Sequence, residues 1–215
     1  MNIVKNFNLL LDEIKNITNE KINLIAVTKN FNLDYIKPLI NIGHIHFGEN
    51  RVQEAITKWS LEKKLKPQIQ IHLIGRLQSN KVKDALNIFD YIHSLDSKKL
   101  AILLNEEEEK KKIKIKYFIQ VNIGLEKQKS GVMLDELEDF INFCRSQTKL
   151  NIIGLMCIPP LNGNSSHYFE TLRSLAKKNN LAQLSMGMSG DYIEAIKYGS
   201  TFLRVGSKIF GERSN

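Results

Sequence analysis

The chain has 215 residues, 42% apolar and 25% charged, a composition that suits a globular fold with a sizeable core and excludes a disordered or fibrous chain. The net charge is +8, but the lysines are scattered, and the densest run, Glu106 to Lys116, sets four glutamates beside five lysines like a solvated helix end. With few aromatics interleaved among the basic residues, no specific nucleic-acid partner is expected. No stretch approaches the ~18 apolar residues of a membrane span, and the N-terminus lacks a signal peptide's apolar centre. A cytoplasmic protein without membrane contact is expected.

An amphipathic helix opens the chain, with Leu9, Leu10, Ile14 and Ile17 at helical spacing. The apolar run Ile22 to Thr28 reads as a first buried strand ending in Lys29. A helix from Leu33 to Ile42 follows, stopped by Gly43, which suits a left-handed cap. His44 to Phe47 is a second strand, Arg51 to Trp59 a helix, and Ile69 to Gly75 a third strand. A helix runs from Gln78 to about Asn87, and Phe89 to Ser94 is a fourth strand. Asp96 is the expected N-cap of a helix holding Leu100, Leu103 and Leu104. Ile113 to Asn122 is a fifth strand, Gly124 to Gly131 a polar loop, and Leu134 to Arg145 a helix. Asn151 to Cys157 is a sixth strand, broken by Pro159-Pro160, and His167 to Lys178 a helix. Ala182 to Met186 and Thr201 to Val205 complete eight strands, with a helix from Asp191 between them. The two cysteines, Cys144 and Cys157, supply neither a disulfide framework nor a metal spacing and read as buried thiols.

Strands alternating with helices specify an α/β protein with a parallel sheet. With no linker or composition shift, residues 1–215 are expected to form a single (β/α)8 TIM-barrel domain with an additional N-terminal helix. A doubly wound sheet is the competing architecture. Small residues cluster after the last two strands, Gly187, Ser189 and Gly190 in one turn and Gly206 and Ser207 in the other. In a barrel those loops are a frequent phosphate site. Two ordinary turns would look the same, but Arg204 lies at a strand end between them. If Ile25 and Val27 fill the interior, strand alternation points Lys29 into the barrel mouth. A lysine opposite a phosphate cradle suits a Schiff base to a phosphorylated aldehyde, although position alone favours an ordinary solvated strand-end lysine.

The chain resembles the YggS/PROSC family of pyridoxal-phosphate homeostasis proteins, whose barrel is similar to the N-terminal domain of alanine racemase. The matching pieces are Ile25 to Lys29, Phe47 to Glu54, His72 to Lys81, Glu126 to Gly131, Gly154 to Cys157 and Ser185 to Gly211. They run in family order over nearly the whole length. The segment Asn30-Phe31-Asn32 departs from the charged or proline-containing stretch often found there.

The resemblance implies a protein of intracellular pyridoxal 5'-phosphate (PLP) homeostasis, holding PLP as a Schiff base on Lys29. It places the phosphate at Ser189, Gly206 and Ser207, Met186 near the ring and Arg204 at the pyridine nitrogen, with Asn50 and His72 as rim contacts. A guanidinium keeps its proton, so a ring nitrogen facing Arg204 stays unprotonated and the ring is a weak electron sink. The second domain that brings the racemases their tyrosine base is not expected here. A monomeric carrier without dedicated turnover is therefore expected, with PLP-dependent apoenzymes as possible recipients. A racemase-like amino-acid enzyme is the alternative, and a barrel for another phosphate ester a third reading.

Overall fold

The computed structural model describes residues 2–126, 128–161 and 163–211. Within them the chain alternates strand and helix. Helix α1 (Ile3–Ile17) precedes β1 (Asn23–Val27), α2 (Leu33–Asn41), β2 (His46–Glu49), α3 (Val52–Leu65) and β3 (Gln70–Leu73). A 3-10 turn at Ser79–Lys81 leads into α4 (Val82–Ala85), β4 (Tyr91–Leu95), α5 (Lys98–Lys111) and β5 (Lys116–Val121). The last part holds α6 (Leu137–Gln147), β6 (Asn151–Cys157), α7 (Ser165–Lys178), β7 (Gln183–Ser185), α8 (Tyr192–Lys197), β8 (Phe202–Val205) and α9 (Ser207–Phe210). All eight strands are parallel, and β8 pairs back onto β1 from Asn23↔Phe202 to Ala26↔Val205. The sheet is a closed barrel, not a doubly wound sheet.

Alternation along each strand sorts side chains into two layers. Ile25, Tyr91, Phe118, Met156 and Phe202 meet in the interior. Leu24, Ala26, Phe47, Ile71, Leu73 and Ile92 face outward into the apolar layer beneath the helices. Cys144 and Cys157 are buried in that layer as free thiols, and desolvation raises both to about 12, so neither is a reactive thiolate. Among the described residues no helix is long and apolar enough to cross a membrane.

Several boundaries differ from the sequence expectation. Helix α1 buries Ile3, Phe7, Leu10 and Ile14, whereas Leu9 and Ile17 are exposed. Ser97, not Asp96, caps α5, its Oγ accepting from the Leu100 N–H. The Gln78–Asn87 stretch is a 3-10 turn and a single helical turn. Gly43 does adopt the left-handed conformation, with φ of 86°.

Helix α1 lies against α9 at the end of β8, and Asn6 Nδ2 donates to the Ile209 carbonyl at 3.1 Å. Glu13, Tyr192 and Lys208 join the same corner by hydrogen bonds. The N-terminal helix therefore braces the turn that follows β8.

Candidate functional site

The C-terminal ends of the strands surround a cavity of about 660 Å3. Lys29, Asn50, Ser189, Arg204, Gly206 and Ser207 line it together, so six of the eight predicted site residues share one space. Val27 lines it one layer below Lys29, and Ile25 lies deeper still, as alternation along β1 requires.

The turn carrying Lys29 is held on both sides by a buried ionic network. Lys58 Nζ donates to the Thr28 carbonyl at 2.8 Å, to Glu49 Oε1 at 2.9 Å and to Glu54 Oε1 at 3.0 Å. Glu54 Oε1 also accepts from the Asn30 N–H at 2.6 Å, where the chain turns through a φ of 67°. Glu49 Oε1 accepts further bonds from Thr28 Oγ1 at 2.7 Å and Trp59 Nε1 at 2.9 Å. Burial pushes the Glu49 pKa up, and these donors pull against that shift. The backbone on either side of Lys29 is thus tied to α3.

Across the cavity, β7 and β8 present the small-residue turns. Gly187 has φ of 93°, and a Cβ there would meet Ala195 Cβ at 2.6 Å and Leu203 Cδ2 at 2.8 Å. Only glycine lets this loop turn so close to α8 and β8. Its carbonyl accepts from the Arg204 N–H at 3.0 Å, stitching the two strand ends together. The Gly206 N–H donates to Ser189 Oγ at 3.3 Å, so one hydroxyl bridges both loops. Ser207 opens α9, and the pairing of these loops with a short helix is the usual barrel arrangement for a phosphate.

Arg204 lines the cavity from β8 yet is only 4% exposed. Its Nη1 donates to Ser185 Oγ at 2.6 Å and its Nη2 to the Cys157 carbonyl at 2.9 Å. Burial works against its charge, with partial compensation from the Asp191 carboxylate. A guanidinium keeps its proton in such a place.

Two expectations need correction. The Met186 side chain is fully buried in the layer between sheet and helices, because Ser185 takes the inward position, and Met188 lines the cavity instead. His72 is not a rim residue. It is fully buried in the barrel interior, stacked on Tyr91 and bonded to His46 and His93, with Ile74 above it at the cavity. Sequence reasoning also left Phe31, Gln120, Lys129, Ser130 and Ile158 out of the site. For Gln120 and Ile158 a signal existed, since Gln120 lies two positions along β5 from inward-facing Phe118 and Ile158, just past β6, two positions from inward-facing Met156. Lys127, within one of the quoted motifs, lies outside the described residues.

Burial holds His44 and His46, at the other end of the barrel, down to about 4. Lys21 and Lys116 lower His46 further, and Asp90 opposes them. Unfolded histidine titrates near 6.5, so between pH 6.5 and 4 the unfolded chain binds protons that the fold refuses. Stability is therefore complete above pH 6.5 and falls as the pH drops toward 4, by on the order of 1–2 kcal/mol per ring at pH 5. The urea midpoint is expected to be lower at pH 5 than at pH 7.5, with a smaller difference in His44→Gln. An equal midpoint at both pH values contradicts this.

Comparison with known proteins agrees with the architecture. The family model for the alanine racemase N-terminal domain matches residues 6–214. The pyridoxal phosphate homeostasis protein of Haemophilus influenzae is 34% identical, covering 100% of this chain and 97% of its own. That of Aquifex aeolicus is 38% identical over 88% of this chain and 86% of its own. Among solved structures, PipY of Synechococcus elongatus with PLP bound superposes with a TM-score of 0.88 at 34% identity, covering 98% of this chain and 100% of its own. An alanine racemase of Clostridium difficile shares the fold alone, with a TM-score of 0.75 at 14% identity. The barrel, its motifs and these relatives agree: the chain belongs to the pyridoxal phosphate homeostasis protein family, built on the alanine racemase N-terminal-domain fold.

Proposed function

We propose that this chain binds pyridoxal 5'-phosphate through Lys29 and serves PLP homeostasis within the cell, holding the cofactor without a dedicated catalytic turnover. The observation that carries the reading is one cavity lined at once by a strand-end lysine, a buried arginine and the Ser-Gly turns after β7 and β8. Its volume of about 660 Å3 lies within the ordinary range for sites that take small cofactors. The donor set also fits the group, with hydroxyls and loop N–H groups for a phosphate and a primary amine for an aldehyde.

In this reading Lys29 Nζ condenses with the aldehyde carbon, forming a C=N bond and releasing water. Ser189, Gly206 and Ser207 hold the phosphate, Arg204 faces the ring nitrogen, and Asn50 contacts the cofactor at the mouth. Bound PLP supplies electron withdrawal from carbon next to nitrogen. Arg204 limits that capacity, because a group that keeps its own proton leaves the ring nitrogen without one. The named activity of the curated relatives supports homeostasis over turnover, and the bound PLP of PipY supports the cofactor. The whole chain acts as one cytoplasmic, monomeric unit that yields its cofactor to PLP-dependent apoenzymes.

The discriminating experiment is incubation of the PLP-loaded protein with single amino acids in deuterated buffer. No enzymatic loss of α-hydrogen is expected for any of them. Stereospecific exchange at a sustained rate would establish a racemase-like enzyme instead.

A further inference from the structure

Beneath the cavity, five interior side chains from five strands join end to end. His46 Nδ1 lies 3.0 Å from His72 Nε2, and His72 Nδ1 lies 3.0 Å from His93 Nε2. His93 Nδ1 is 2.8 Å from Ser185 Oγ, the same oxygen that accepts from Arg204 Nη1. Stacking fixes the ring planes: His72 lies on Tyr91 at 4.2 Å and His93 on Phe118 at 4.4 Å between centroids. The imidazoles are strung in a row. Among the described residues no group of side chains is arranged to hold a metal ion.

The direction of every bond follows from the last member. A guanidinium offers donors only, so Ser185 Oγ accepts from Arg204 and has its own proton to give. His93 Nδ1 is the acceptor within reach. A neutral imidazole that accepts at Nδ1 carries its proton on Nε2, and His93 therefore donates to His72 Nδ1. The same step repeats, and His72 Nε2–H donates to His46 Nδ1. The opposite assignment puts two donors on Ser185 Oγ and strands its hydroxyl proton.

We propose that Ser185, His93, His72 and His46 are positioning residues for Arg204: a one-directional row of neutral Nε2–H imidazoles that aims the guanidinium into the cavity and stabilises its charge. Each ring turns its accepting nitrogen toward the arginine. That polarity substitutes for a carboxylate, since no ion pair to Arg204 forms among the described residues. Burial keeps His72 and His93 neutral, and Arg204 itself opposes protonation of His93. The row is not a proton conduit, because passing a proton requires every bond to reverse and Arg204 cannot accept one. The proposal rests on the PLP reading only for what Arg204 faces.

The test is long-range 15N–1H NMR of the histidine rings in the unliganded protein at pH 7.5. His72 and His93 are expected as single Nε2–H tautomers. Ser185→Ala is expected to leave His93 as a mixture of both tautomers, and Ser185→Thr to restore the single form. An Nδ1–H tautomer or an imidazolium at either ring in the native protein overturns the proposal, as does a His93 tautomer unaltered by Ser185→Ala. With PLP added, Ser185→Ala is expected to shift the pH dependence of the bound cofactor's absorption, and Ser185→Thr to return it. If the native protein binds no PLP, the functional reading fails while the NMR result still decides the tautomer assignment.

Discussion

Lys29→Ala is expected to remove the yellow, PLP-derived absorption of the loaded protein completely while leaving the barrel folded. The residue is half-buried at the end of β1, and the barrel wall beneath it is closed by Val27 and Ile25. Removing a side chain from the mouth empties no core position, so the change in unfolding free energy should stay within about 1 kcal/mol. The turn is held from behind by Lys58 on the Thr28 carbonyl, by Glu54 on the Asn30 N–H and by Glu49 on the Thr28 hydroxyl, and these three contacts do not use the Lys29 side chain. Phosphate contacts remain, so inorganic phosphate should still compete for the cavity. A variant that has lost its far-ultraviolet circular dichroism would instead make Lys29 a structural residue.

The second large effect is expected at Arg204. Arg204→Glu should change the spectrum of bound PLP far more than it weakens retention of the phosphate, which depends on Ser189, Gly206 and Ser207 in the turns after β7 and β8. A carboxylate favours a protonated ring nitrogen, the reverse of what a guanidinium does. The substitution also sets a negative charge against the Cys157 carbonyl and removes the donor that fixes Ser185. Leaving a buried charge unpaired in this way costs roughly 3–5 kcal/mol, so the variant should be less stable than the native protein. The comparison is made by absorption titration with PLP beside urea unfolding. Equal loss of spectrum and of phosphate retention would count against Arg204 facing the ring.

Much of the barrel was legible in the sequence because its signals are local. Asn151 to Cys157 reads as a strand and is one with those bounds. The alternation of Ile25, Val27 and Lys29 needed only period two. The side of the sheet that Met186 faces does not follow from such alternation. β7 is three residues long, too short to fix which face is inward, and its orientation is set by pairing of Ser185 with Phe202. The family resemblance puts His72 at the rim, and nothing in its position along the strand decides between rim and interior. Here it meets two other imidazoles, and the cost of burying it is offset by partners on β2 and β4. The row of histidines and the network behind Lys29 join side chains from separate strands and helices. His93 and Ser185 are 92 positions apart, a distance no local pattern spans.

The central claim is that Lys29 is the covalent anchor of the cofactor, and it is tested most directly by trapping. The purified protein is incubated with PLP, reduced with borohydride, digested and mapped by mass spectrometry. A reduced pyridoxyl adduct on Lys29, lost in Lys29→Ala, is the expected result. A colourless protein with no adduct on Lys29 would contradict the account and leave a barrel for some other phosphate ester.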